Sequence, residues 1–268
     1  MPSQELIKKI RRIEIKSSKL VEEIFSGEYR SSFKGRGIEF EDIRQYYPGD
    51  EVRNIEWNVT ARQNQAYVKQ FREERELNMF LLIDMSQSNS LGDKKDIIAE
   101  IGATLAFSAI KNNDKVGAIL FTDKVEKIIP SKSGKKHVLS IIEEILRFEP
   151  EHDATAIKKA LQYFNRIEKK QSIVFLISDF LDDGYQKDLK ITANRHDLVL
   201  VRVVDRLEEK IPEGAIFEFE DLETEETIVV DNLKQELTLD FNKDLPSRNL
   251  INIYTDQDFI KSLQNFFK

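Results

Sequence analysis

Asp84-Met85-Ser86-Gln87-Ser88 follows directly on the apolar run Met79-Phe80-Leu81-Leu82-Ile83. If the chain leaves a buried strand there, a carboxylate and two hydroxyls at alternate positions point the same way. Three hard oxygen donors on one short loop suit a hard divalent cation, Mg²⁺ before Zn²⁺. The same pattern also describes a turn in which Asp84, Ser86 and Ser88 cap a following helix, because Asp and Ser are common after strands. Two other loops carry matching chemistry. Asp179 stands at the end of the apolar run at 172–178, and His152-Asp153-Ala154-Thr155-Ala156 puts a hydroxyl at the start of a helix. If the strands are neighbours, Asp84, Ser86, Ser88, Thr155 and Asp179 converge. Such a set of oxygen donors matches octahedral Mg²⁺, with water or a partner's oxygen completing the shell.

The elements that would position these residues alternate. From Glu76 onward, strands are expected at 77–84, 115–122, 172–178, 198–204 and 250–254, and helices at 94–112, 135–146 and 155–168. That order predicts a doubly wound α/β fold with a mostly parallel sheet. Residues 125–129 are expected to form a short antiparallel neighbour, and Asp256 to cap a closing amphipathic helix. The near-continuous Val, Ile, Leu and Phe of the strands fits burial on both faces. Ligands of such sheets bind beyond the carboxyl ends of the strands, where the strand order reverses.

Residues 1–72 read as a small N-terminal extension, a helix at 3–25 followed by short strands at 38–40, 52–57 and 66–71. Trp57, the single tryptophan, is expected to anchor its core. Residues 73–268 form the α/β domain, with an acidic β-hairpin at 215–231. Lys and Arg outnumber Asp and Glu by 14 to 11 over residues 1–72, whereas over 205–244 they are outnumbered 14 to 4. That asymmetry favours packing of the hairpin on the extension. Arg30, Arg36, Arg44, Arg53 and Arg62 are expected to bridge to neighbouring acids rather than to form a free basic face.

With a net charge of −7 and a front segment only mildly basic, the chain is not expected to bind nucleic acid. It has no cysteine, which excludes disulfides, thiolate zinc sites and thiol catalysis, and three histidines are too few for a His-rich metal site. No apolar run approaches the ~18 residues that span a bilayer. The amino end carries charges without an apolar core, so the expected location is cytoplasmic.

The donor pattern resembles the metal-ion-dependent adhesion site of von Willebrand factor A domains. Asp-x-Ser-x-Ser follows the first strand, a Thr opens a later helix and an Asp follows a middle strand, in that order. The resemblance implies a core of Asp84, Ser86 and Ser88 completed by Thr155 and Asp179. It also implies Mg²⁺ (or Mn²⁺) as the ion and a client protein whose carboxylate takes the open position. Gln87 and Phe180 stand where that family usually has glycine, and Asn89 where it often has Met or Leu. The front half, from Gly27-Glu28-Tyr29-Arg30-Ser31-Ser32-Phe33-Lys34-Gly35-Arg36-Gly37 to Tyr46-Tyr47-Pro48-Gly49-Asp50 and Ile55-Glu56-Trp57, resembles the bacterial domain of unknown function 58 family. Its members join this segment to a von Willebrand factor A-like domain. They are typically encoded near MoxR-type AAA+ ATPases, which implies such an ATPase as a partner.

Enzyme motifs are missing. The position of Ser86 would be a second Asp in a haloacid-dehalogenase-like phosphatase. There is no Gly-x-Ser-x-Gly elbow, and Gly134-Lys135-Lys136 lacks the hydroxyl of a phosphate-binding loop. The expected function is a non-catalytic, divalent-metal-dependent protein-interaction module, an adaptor or co-chaperone. The alternative is a Mg²⁺-dependent hydrolase of a phosphorylated small molecule at the same acidic cluster.

Overall fold

The computed structural model describes residues 4–24, 39–63, 65–72, 77–90, 92–152, 154–205, 210–211, 215–220, 227–232, 237–238, 245–246 and 249–267. They divide into two compact units, Lys34–Glu76 and the remainder of the chain. The first helix, α1 (Gln4–Ile24), belongs to the larger unit and not to an extension ending at residue 72. Its Ile13, Leu20 and Val21 are buried in that unit's core. Its Lys9, Glu14 and Lys16 pair with Asp96, Lys135 and Glu100.

The small unit is built on an antiparallel pair, β1 (Glu39–Gln45) and β2 (Tyr67–Arg72). Arg44 donates to both carboxylate oxygens of Asp50 at 2.8 and 2.7 Å, and the Tyr47 N–H donates to the same carboxylate at 2.9 Å. This closes the Tyr47–Asp50 turn and holds the Asp50 carboxyl down at about 2, chiefly through the Arg44 hydrogen bond. Gly49 takes a left-handed φ of 111° there, which a side chain would disfavour. Arg53 likewise pairs with Glu51. Arg30 and Arg36 lie outside the described residues.

The strand expected at 52–57 is instead a 3₁₀ turn (Val52–Asn54) followed by α2 (Trp57–Gln63). β1 already pairs with β2 along its length, so Ile55 reaches Val68 only through one isolated bridge. Trp57 is not a core anchor, since 66% of its surface is exposed. Val68 is the buried apolar residue of this unit among those described.

The large unit is wound around a six-stranded sheet. In chain order its elements are β3 (Asn78–Asp84), the single turn α3 (Gln87–Ser90), α4 (Gly92–Lys111), β4 (Lys115–Phe121), β5 (Val125–Lys132) and α5 (Lys135–Arg147). They continue with α6 (Ile157–Ile167), β6 (Ile173–Ser178), α7 (Gln186–Arg195) and β7 (Asp197–Val204). Two short antiparallel pairs follow, β8 (Lys210–Ile211) with β11 (Leu237–Thr238) and β9 (Ala215–Glu220) with β10 (Thr227–Asn232). Then come β12 (Leu250–Tyr254) and α8 (Phe259–Phe267). The expected hairpin is therefore formed, while its tip and its side chains lie outside the described residues. The Asp258 carboxylate, rather than Asp256, accepts the Ile260 N–H and caps α8.

The sheet order is β12-β7-β6-β3-β4-β5, all neighbours parallel except β4 and β5. Both faces are covered. Met79, Leu81 and Ile83 of β3 point into a core shared with α1, α4, α5 and α8, whereas Phe80 and Leu82 point into a second core with α6 and α7. This explains the unbroken apolar run before Asp84. From β3 the chain proceeds outward through β4 and β5 on one side and through β6, β7 and β12 on the other. The order therefore reverses between β3 and β6, where two neighbouring strands send their connections to opposite faces. No helix among the described residues is long and apolar enough to cross a membrane.

His196 lies buried at the α7–β7 corner with its ring 4.8 Å from that of Phe164, and neither ring nitrogen has a hydrogen-bond partner among the described residues. Burial lowers its pKa below the ordinary 6.5. The unfolded chain therefore takes up the proton first as pH falls, so stability drops through about pH 6.5 and below. Between pH 7.5 and pH 5.5 the urea midpoint of the parent should drop relative to that of His196→Phe, which lacks the titrating ring, as followed by circular dichroism.

Candidate metal centre

Asp84 is the last residue of β3 and is fully buried. The Met85 N–H still donates to the Phe121 carbonyl at 2.8 Å, which keeps the chain on β4 for one more residue before it turns. The turn is then held by side chains. Ser86 N–H donates to Asp84 Oδ1 at 3.0 Å, and Asn89 N–H donates to the Ser86 carbonyl at 3.0 Å. This is the local side-chain turn that Asp favours, so the turn-forming and donor-presenting readings of Asp84 coexist. Its other oxygen, Oδ2, accepts the hydroxyl of Ser178 at 2.6 Å. One carboxylate thus ties the end of β3 to the end of β6 across the reversal in strand order.

The remaining donors form a chain. Ser86 Oγ and Ser88 Oγ are 3.3 Å apart, and Ser88 donates to Asp179 Oδ2 at 2.9 Å. Asn89 Nδ2 lies 3.3 Å from Ser86 Oγ, while its buried amide oxygen has no hydrogen-bond partner among the described residues. Asp179 Oδ1 accepts the Leu181 N–H at 3.2 Å. Four of the five expected residues, Asp84, Ser86, Ser88 and Asp179, are therefore linked within one side-chain network. Thr155 stands half-buried at the same end of the sheet, just before α6. Its loop is held there by Ala156 N–H donating to the Thr122 carbonyl at 2.9 Å and Ile157 N–H donating to Asp182 at 2.8 Å.

Phe180 adopts a left-handed φ of 62°. The glycine expected after the second acid is thus replaced by a residue that keeps the glycine-like backbone. A non-glycine residue there is strained by roughly 1–2 kcal/mol. The offset comes from the ring, which is buried in the second core against Tyr185 at 6.2 Å between centroids. Phe180 N–H also donates to Ser178 Oγ at 3.0 Å, so the strained residue orients the hydroxyl that orients Asp84.

Two cations flank Asp179. Lys94, in the first turn of α4, has its ammonium 3.8 Å from Asp179 Oδ2 with 7% of its side chain exposed. Arg202 of β7 is almost fully buried and donates from Nε to the Asp179 carbonyl at 3.3 Å. Sequence reasoning missed Ser178, Lys94 and Arg202. For Arg202 the signal was present, a lone Arg inside an otherwise apolar strand. Lys94 lies in Asp93-Lys94-Lys95-Asp96, which reads as an ordinary solvated charge run.

Burial, then the nearby Asp179 charge, pushes the Asp84 carboxyl up to about 7. The donor set fits a hard divalent ion. Mg²⁺–oxygen bonds of about 2.1 Å at right angles put neighbouring ligand oxygens about 3.0 Å apart. The Ser86–Ser88 and Ser88–Asp179 separations of 3.3 and 2.9 Å are hydrogen-bond distances that also lie close to that edge. Among the described residues no group of three or more His, Asp or Glu is placed to hold a metal. The residues gathered here offer hydroxyl oxygens beside two acids, hard donors by type.

The family model described as "Protein of unknown function DUF58" matches residues 42–249. The uncharacterized protein Rv1480 of Mycobacterium tuberculosis is 26% identical over 223 residues, covering 80% of this chain and 70% of its own length. Among solved structures, the conserved hypothetical protein BatB from Bacteroides thetaiotaomicron is similar at a TM-score of 0.47 and 16% identity, covering 71% of this chain and 96% of BatB. The SpRpn10 VWA domain is similar at a TM-score of 0.40 and 13% identity, covering 71% and 95% of the two chains.

The raised Asp84 pKa sets a pH dependence of the metal-free fold. A carboxyl whose folded pKa exceeds its unfolded value adds stability at low pH that is lost as pH rises through about 7. In chelator, the stability of Asp84→Asn relative to the parent should therefore rise from pH 4 to pH 8, as read by urea titration. Phe180→Gly should relieve the backbone yet lose the buried ring, for a net destabilisation of about 2–3 kcal/mol by urea titration.

Proposed function

We propose that this chain, which belongs to the DUF58 family of proteins of unknown function, is a non-catalytic protein-interaction module that engages its partner through a divalent ion. The observation that carries the reading is the run of oxygens from Ser86 through Ser88 to Asp179 at the reversal in strand order, with octahedral edge spacing. Asp84, Ser86, Ser88 and Asp179, with Thr155, would hold Mg²⁺ or Mn²⁺. The bound ion would supply a Lewis-acidic position for a carboxylate oxygen of a client protein. The chain's own contribution is orientation. Ser178 fixes Asp84, Leu181 N–H fixes Asp179, and Asn89 holds Ser86.

His137 reaches the Val116 carbonyl, His152 lies 3.9 Å from Asp123, and His196 packs on Phe164. The family resemblance supports a MoxR-type AAA+ ATPase as a working partner in an adaptor or co-chaperone role.

Partner capture from a bacterial extract should require Mg²⁺ or Mn²⁺, vanish in chelator and return on adding the ion back. Ser88→Ala should weaken it at least about tenfold with the melting temperature held within a few degrees. Capture that is undiminished in chelator rejects the metal-dependent reading. Mg²⁺-dependent turnover of a generic phosphoester, abolished by Asp84→Ala in a folded protein, would establish a hydrolase instead.

A further inference from the structure

Lys94 is out of place by every local rule. It sits in the first turn of α4, the positive end of the helix dipole, where a cation is disfavoured. It is almost wholly buried, and a buried ammonium is strongly unfavourable without a counter-charge. The counter-charge is Asp179, whose Oδ2 lies 3.8 Å from the ammonium and also accepts the Ser88 hydroxyl. One oxygen is thus shared between the candidate donor chain and a fixed cation from the chain itself. Asp84 and Asp179 are both buried, so the centre needs positive charge nearby whether or not an ion is bound.

We propose that Lys94 is the resident counter-ion of the centre, pairing with Asp179 in the metal-free state and competing with the divalent ion for the same carboxylate. This rests on the divalent-ion reading above and concerns how that site is regulated. The ammonium stabilises the empty centre and lowers its affinity for the ion, because two cations then share one buried carboxylate. The centre is thereby set to load only at high ion concentration, or when a client carboxylate adds negative charge.

The test measures Mn²⁺ binding to the full chain by electron paramagnetic resonance, together with melting temperature with and without Mn²⁺. The proteins compared are the parent, Lys94→Met and Lys94→Gln. The proposal expects Lys94→Met to bind Mn²⁺ about tenfold or more tightly than the parent. It also expects a lower melting temperature in chelator and a larger rise on adding Mn²⁺. Lys94→Gln, which removes the charge but keeps a polar side chain, tests the same point if Lys94→Met does not fold, and its affinity should also exceed the parent's. Equal affinities in parent and variants overturn the competition and leave the metal reading standing. Weaker binding in the variants overturns it too, by making Lys94 an organiser of the loaded centre. Absence of Mn²⁺ binding in all three proteins overturns both readings together.

Discussion

Asp84 carries its carboxylate out of reach of bulk solvent, at the junction of two strands whose connections leave in opposite directions. Burying a carboxylate there requires that each of its oxygens be matched, and the matching partners come from both sides of the junction. Ser86 N–H satisfies one oxygen from the following loop, and Ser178 satisfies the other from the neighbouring strand. The loop after β3 and the loop after β6 are therefore held to a single carboxyl group. The Ser178 hydroxyl in turn accepts the Phe180 N–H, which links the turn after Asp179 to the same point. Removing the Asp84 carboxylate would leave a buried hydroxyl and a buried amide without their acceptor.

Around that junction, charge is balanced in layers. Asp179 is the second acid, and Lys94 and Arg202 approach it from α4 and β7. The two approach different atoms: the ammonium faces a carboxylate oxygen, whereas the guanidinium holds the backbone carbonyl. Phe180 shows how the sheet's second core contributes to the same site. Its ring is packed deeply enough to tolerate a backbone conformation that glycine would adopt without strain.

The small unit follows a different logic. Among its described residues Val68 is the buried apolar side chain; the bidentate Arg44–Asp50 pair closes its turn, and Lys69 pairs with Glu56. Tyr47, Val52 and Trp57 are its exposed large apolar residues. Exposed pairs of this kind contribute little stability individually, so hydrogen bonding of the turn and the β1–β2 ladder define its shape.

Much of the architecture was legible in the sequence. Unbroken apolar runs ending in Asp84 and in Ser178-Asp179 announced strands covered on both faces, and amphipathic spacing announced the helices between them. The donor types at Asp84, Ser86, Ser88 and Asp179 were visible because alternation after a strand limits where side chains point. In the small unit the reading failed at residues 52–57, since a short apolar stretch carries no information about whether a partner edge is free. Neither could it assign α1 to the large unit, because an amphipathic helix reports that it has a buried face and not which core accepts it. Charge placement lay furthest out of reach. Lys94 looks solvated in sequence and becomes buried only because α4 begins beside Asp179, which is 85 residues further along the chain. The local chain thus determined which residues offer oxygen atoms and on which elements they ride. Only the tertiary structure decided that those oxygens meet and which cation keeps them company, because both depend on the order in which distant strands pair.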